Sequence, residues 1–310
     1  MTDIAARILV LGGLNLDFVL RAQRLPVAGE TVTGDAFETT RGGKAGNQAV
    51  AAARMLDDPS RIAMVGRVGG DWMGRTMLDG LVDAGIDATR VATDREATTG
   101  VAAIYIEAAG ENTVTAVYGA NHNVGDVELA RLEDVLPGAA VLLVQLETPW
   151  PTTQGAIEAA RRANVSVVLD HALASDLPLD AFAGVDILTP NQREAERWTG
   201  VAVTDPDSAA LAGRRLVDSG VGTALVTLGS AGVVAVDAEG SQRYPAFEVD
   251  AVSTLAAGGA FNGALAAGLA EGRTLPQSIE RAQAAAALST TRTGAQESMP
   301  SRSQVEEFLA

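Results

Sequence analysis

The feature that most constrains this chain is a repeated alternation of short apolar runs with stretches of helical spacing. Residues 7–12 (RILVLG) read as a buried strand, 45–55 as an Ala-rich helix and 61–65 as a second strand. Residues 71–84 carry Trp72, Met73, Met77, Leu81 and Val82 at the spacing of one helix face. Strand-like runs at 141–146, 165–169 and 186–188 follow, each leading into a helical stretch. Runs at 223–227 and 233–236 flank a turn at 228–232, and Ala-rich helices are expected near 259–271 and 275–290. Such alternation predicts an α/β fold: a doubly wound, mostly parallel sheet flanked by helices on both faces.

Two regions break the rhythm. Residues 17–22 and 31–37 read as strands joined by a turn around 26–29, and 100–107 with 112–118 as a hairpin turned at 109–111. Four strands without intervening helices predict a small β-sheet inserted into a single 310-residue domain. We expect it to form a lid from segments of about 14–40 and 98–118.

Composition narrows the chemistry. The absence of cysteine excludes disulfides, thiolate catalysis and Cys-ligated metals, and two histidines are too few for a His-rich zinc site. A net charge of −16 argues against nucleic acid, which needs a basic footprint. No run approaches the 18 apolar residues of a membrane span, and the N-terminus, with Asp3 and Arg7, lacks the form of a signal peptide. The expectation is a cytoplasmic protein.

Polar groups cluster where strands should end, the place where open parallel sheets bind ligands. Asn15 and Asp17 follow the first run. Arg41–Gln48 (RGGKAGNQ) places glycines, Lys44 and Asn47 at a helix start, where backbone amides are free to meet a ligand. Read alone, it is more readily a Gly-rich strand-to-helix turn than a ligand site. Glu147 follows the 141–146 run. Asn191 and Glu194 follow Thr189–Pro190, spaced to serve as a helix cap and capping box as readily as ligands. Ala256–Gly263 (AAGGAFNG) opens a helix with small residues, the form of an anion hole made of amides.

In order, spacing and wording these segments resemble the pfkB carbohydrate kinases, and ribokinases among them, from about residue 7 to 309. The resemblance rests on GGKAGNQAVAAAR, GETVTG, VQLET, TPNQREAE, VTLGSAG, AAGGAFNGAL and GAQES. It implies transfer of phosphate from ATP, with Mg²⁺, to a pentose-type sugar hydroxyl. It implies that Asn15, Asp17, Gly43, Lys44, Asn47 and Glu147 hold the sugar. Asn191 and Glu194 would serve the nucleotide phosphates, Glu194 reaching Mg²⁺ through water. Thr227, Gly229 and Gly232 would line the nucleotide pocket, and Ala256, Ala257 and Gly258 would form the anion hole. It also implies a homodimer formed through the lids.

Three departures stand out. The family's D-T-x-x-A-G-D pattern reads here S-T-L-A-A-G-G, from Ser253 to Gly259. Gly259 therefore stands where the resemblance places the catalytic aspartate base, and Ser253 where a carboxylate helps bind a monovalent cation. Asp170–His171–Ala172–Leu173 replaces an Asn-Pro-Ala-Pro run. A positioned base is worth about 10²–10⁴ in rate, so the expectation is a sugar kinase of strongly reduced activity, with weak or absent cation dependence. The alternative is a non-catalytic sugar- and nucleotide-binding pseudokinase. His171 or Asp170 is a candidate surrogate base; His122 is a weaker one, read first as part of a solvated loop.

Overall fold

The computed structural model describes residues 7–108, 112–170 and 177–310. The strands are β1 (Arg7–Leu11), β2 (Asn15–Ala22), β3 (Gly34–Gly42), β4 (Ile62–Gly69), β5 (Asp87–Asp94), β6 (Gly100–Glu107) and β7 (Asn112–Val117). They continue with β8 (Ala139–Gln145), β9 (Ser166–Asp170), β10 (Ile187–Leu188), β11 (Thr223–Thr227), β12 (Val233–Val236) and β13 (Ser241–Tyr244). The helices are α1 (Lys44–Met55), α2 (Trp72–Asp83), α3 (Asp126–Glu133), α4 (Trp150–Arg162) and α5 (Gln192–Thr199). After these come α6 (Pro206–Asp218), α7 (Ala257–Ala270), α8 (Leu275–Thr290) and α9 (Arg302–Leu309).

The main sheet has nine strands in the order β13-β12-β11-β10-β9-β8-β1-β4-β5. It is parallel from β5 to β11, and β12 runs antiparallel at the β11 edge. Strand alternation sends β1 side chains into two cores. Ile8 and Val10 pack with α1, α7 and α8 through residues such as Val50, Phe261 and Ile279. Leu9 and Leu11 pack with α3 and α4 through Leu132, Ala156 and Ile157. Burying one such aliphatic side chain is worth about 1.5–3 kcal/mol. This is the doubly wound sheet that the alternation predicts. Helix α7, apolar on nearly every face, lies between α1 and α8, as a helix buried all round must.

The helix-free strands form a separate four-stranded sheet, β3-β2-β6-β7. Its two pairs, β2–β3 and β6–β7, are antiparallel, and a parallel β2–β6 pairing joins them. The third predicted strand is displaced. It spans Gly34–Gly42 rather than 31–37, because its pairing with β2 runs on through Asn15↔Gly42. The turn lies where it is expected, at Val27–Glu30, where the Glu30 amide donates to the Val27 carbonyl. Strand β4 also runs four residues past the predicted 61–65. Strand β5, half-buried and polar, carries no apolar run that would announce it. The hairpin turn at 109–111 lies outside the described residues.

One face of the small sheet carries Asp17, Val19, Ala102 and Ile104, and packs Val19, Ala102 and Ile104 against Leu255 of the main body. Between the outer part of this sheet and the 251–255 segment lies a cavity of about 530 Å³.

Candidate active site

Parallel strands deliver their C-terminal ends to one edge of the sheet, and the chain places its polar residues there. Gly43, with φ 78, caps α1 in a conformation costly for other residues, so β3 can turn directly into the helix. The first helical amide, of Lys44, then donates to Glu147 Oε2 at 2.8 Å. Asn15 Nδ2 reaches Glu147 Oε1 at 3.4 Å. Asn15, Gly43, Lys44 and Glu147 thus meet. Asp17 belongs with them, since the charge of Glu147 acts on it.

Both carboxyls are buried and perturbed. Burial first, then the charges of Glu147 and Glu297, raises the Asp17 pKa to about 8. Burial raises Glu147 to about 7, against the opposing pull of the Lys44 amide and ammonium. Asp17 Oδ1 and Asn47 Oδ1 are buried with no hydrogen-bond partner among the described residues. Buried acceptors left so are costly, and both stand where the sugar hydroxyls are expected.

Asn121, which the motif reading did not single out, orders this cluster. Its Oδ1 accepts from the Leu14 amide at 3.0 Å; its Nδ2 donates to the Leu14 carbonyl at 3.2 Å and to Asn15 Oδ1 at 2.8 Å. Those bonds fix which end of the Asn15 amide faces Glu147. The lone signal would have been an Asn inside a loop, 106 residues away in sequence.

Asp170 ends β9 inside the same cleft, 4% exposed. It accepts two hydrogen bonds from Lys44 Nζ, at 3.2 and 3.1 Å, and one from Gln48 Nε2 at 2.7 Å. It is a committed ion-pair partner rather than an idle carboxylate. His171 and the following residues of that run lie outside the described residues. His122 is exposed, its ring 5.2 Å from that of Tyr118.

On the other side of the cleft, Asn191 and Glu194 form the reciprocal cap that their spacing allows. The Glu194 amide donates to Asn191 Oδ1 at 3.0 Å, and the Asn191 amide to Glu194 Oε2 at 2.7 Å. Glu194 nevertheless lies near enough to act electrostatically on Lys44 and Asp170. Thr227 follows on β11, bridged to Asn191. The turn Gly229–Ala231 leads to Gly232, where a Cβ would come within 2.1 Å of the Tyr244 carbonyl oxygen.

Helix α7 closes the cleft. Ala256 caps it in the left-handed region at φ 63, and no acidic side chain occupies the first turn. A Cβ on Gly258 would meet open space, so that turn faces outward. Gly259 is the opposite. A Cβ there would lie 2.8 Å from Cβ of Asn47, so α7 touches the first turn of α1 at the residue expected to hold sugar. Ser253 Oγ accepts from the Leu255 amide at 3.3 Å, and the Ser253 amide donates to the Thr290 carbonyl at 3.0 Å.

Residues 5–302 match the model of the pfkB family carbohydrate kinases. The chain belongs to the pfkB family. Among its members, a ribokinase of Haemophilus influenzae is 38% identical over 300 residues, covering 97% of each chain. A deoxyribokinase of Salmonella typhi is 32% identical over 304 residues, covering 98% of each. A solved structure of Arabidopsis thaliana ribokinase complexed with ribose and ATP superposes with a TM-score of 0.88 at 29% identity, covering 99% of both chains. Within the pfkB family, then, this chain has the ribokinase-like fold: the nine-stranded sheet, its helices and the separate small sheet.

Proposed function

We infer that this chain binds a pentose-type sugar and ATP as ribokinases do, and that its intrinsic phosphotransfer is weak. The observation that carries the reading is the cluster at the α1 N-terminus. Asn15, Asp17 and Glu147 surround it, Asn47 has a buried acceptor without a partner among the described residues, and Gly259 of α7 lies beside Asn47 with no space for a side chain. Ribokinase and deoxyribokinase relatives support a pentose, and the ATP-bound relative supports the nucleotide.

In this reading Asn15, Asp17, Lys44, Asn47 and Glu147 hold and orient the sugar hydroxyls, and the small sheet is the lid that excludes water. ATP supplies the phosphoryl group. The amides of Ala256–Gly258 receive charge developing on it, as a helix N-terminus can. Asn191, Thr227, Gly229 and Gly232 line the nucleotide side. Among the described residues no three His, Cys, Asp or Glu side chains gather to hold a metal. A Mg²⁺ held mainly by phosphates and water, with Glu194 in its outer shell, suits that donor set. Ser253 fits a monovalent cation poorly, because its neutral hydroxyl already accepts a backbone amide. The protein would act in the cytoplasm as a homodimer joined through the lids.

The weakness follows from Gly259, which offers no group to take the hydroxyl proton. The lack of room for a side chain at Gly259 beside Asn47, and the Lys44–Asp170 pair, also favour a second reading, a pseudokinase that binds sugar and nucleotide without turning them over.

Calorimetry with a pentose panel, run beside an ATP-turnover assay, tests both. Heat of pentose binding is expected, and Asp17→Ala should abolish it. Gly259→Asp should raise turnover by about 10², while lowering the melting temperature because its Cβ crowds Asn47. Silence across the panel would remove the sugar site. An ordinary kinase rate in the unmodified chain would refute the weakness.

A further inference from the structure

Lys44 is the only lysine among the chain's 23 Lys and Arg residues, and it stands at the first position of α1 in the middle of the candidate cleft. Its ammonium is already engaged by both oxygens of Asp170. Burial works against that charge, but the carboxylates of Asp170, Glu194 and Glu147 outweigh it and hold the Lys44 pKa above its ordinary value. The third hydrogen bond to Asp170 comes from Gln48, whose Oε1 in turn accepts from Gln145 Nε2 at 2.5 Å. Gln48 and Gln145 are fully buried. The row of amides therefore has a direction, running from β8 through α1 into the carboxylate, and the network is completed by a strong acceptor at position 170.

We propose that Asp170 is a specificity-determining residue, which neutralises the single lysine and so weakens the cleft's grip on the phosphates of a nucleotide while leaving its grip on a neutral polyhydroxy ligand intact. The inference rests on reading the cleft as a sugar and nucleotide site. A phosphate that takes the remaining N–H of Lys44 still meets the Asp170 carboxylate beside it, and one that displaces Asp170 leaves a buried carboxylate without its cation, a costly exchange. A neutral hydroxyl requires no such exchange. Glu147 and Glu194 add to the negative field that an entering anion meets.

The experiment is calorimetry of the full chain and its Asp170→Asn and Asp170→Glu variants, with inorganic pyrophosphate and with ribose as probes. Asp170→Asn keeps the shape and an acceptor for Gln48 while removing the charge. It is expected to bind pyrophosphate about tenfold more tightly or better, with ribose affinity within about threefold of the parent. Asp170→Glu retains the charge and should stay weak for pyrophosphate. Unchanged pyrophosphate affinity in a variant that melts like the parent overturns the proposal, as does an equal gain for both probes. If Asp170→Asn does not fold, reductive ¹³C-methylation of the parent supplies a single lysine signal. That signal should stay in place as pyrophosphate is added, and a shift at submillimolar pyrophosphate overturns the proposal too. Ribose binding to none of the proteins would refute the sugar reading while leaving the pyrophosphate comparison intact.

Discussion

Asp17 carries the clearest conflict between folding and function at the level of a single side chain. Its pKa is raised from 3.8 to about 8 by burial and by neighbouring carboxylates, so the folded chain binds this proton more tightly than the unfolded chain does. The stability it contributes is complete below the unfolded value, declines as pH rises through that window, and is lost above about 8. Asp17→Asn cannot ionise and escapes the loss. Melting temperatures should therefore favour Asp17→Asn over the parent by more at pH 8 than at pH 5; an equal difference at both would show that Asp17 is not perturbed. At this scale the sequence was partly legible. Asn191 and Glu194 stand three positions apart, as a capping box requires, and the structure has that box. Asn121 and the Gln48–Gln145 pair were not legible. Each acts on a residue about a hundred positions away, and no local pattern marks such a meeting.

Helix α7 shows what local pattern can and cannot tell. Its run of small residues predicts close packing, and Gly263 does meet α1 directly: a Cβ there would fall 2.5 Å from Cβ of Ala51. Its capping residue was less readable. Ala256 sits at φ 63, ψ 10, a left-handed conformation that costs a non-glycine residue about 1–2 kcal/mol. Ala256→Gly should relieve most of this, raising unfolding stability by about 1 kcal/mol. Chemical denaturation should show a higher midpoint at unchanged slope; a lower midpoint would mean that Ala256 gains more from its contacts than its backbone loses. The strands differ in the same way. β1, β8 and β9 are apolar and buried on both faces, so they announce themselves, whereas β5 and most of β3 are polar, and only their hydrogen-bonded neighbours define them.

At the scale of the molecule, the small sheet is covered on one face only. Phe18, Leu20 and Phe37 lie together on the other, with Phe37 stacked on Phe18 at 6.1 Å and still 63% exposed, and Val117 on the same face 56% exposed. A four-stranded sheet with such a face gains by burying it, and a second copy of the same sheet is the economical cover. Light scattering at micromolar concentration should give a dimer, and Phe37→Glu a monomer; a monomeric parent would refute the arrangement. The layered α/β plan was legible because strand and helix periods alternate along most of the chain. The β2–β6 pairing was not, since two separate strand pairs do not reveal which of their edges will join.

The position of β1 also bears on how the protein is made. The first strand of the main sheet is hydrogen-bonded between β4 and β8, and neither neighbour exists when Arg7–Leu11 leaves the ribosome. β4 arrives some fifty residues later, and the strand gains its second partner only once Ala139–Gln145 has been synthesised, on the order of ten seconds later at ordinary elongation rates. Throughout that interval an uncharged ILVL segment with strong β-propensity is incompletely paired. Truncated nascent chains ending before β8 should be the species that chaperones engage and that aggregate when chaperones are scarce.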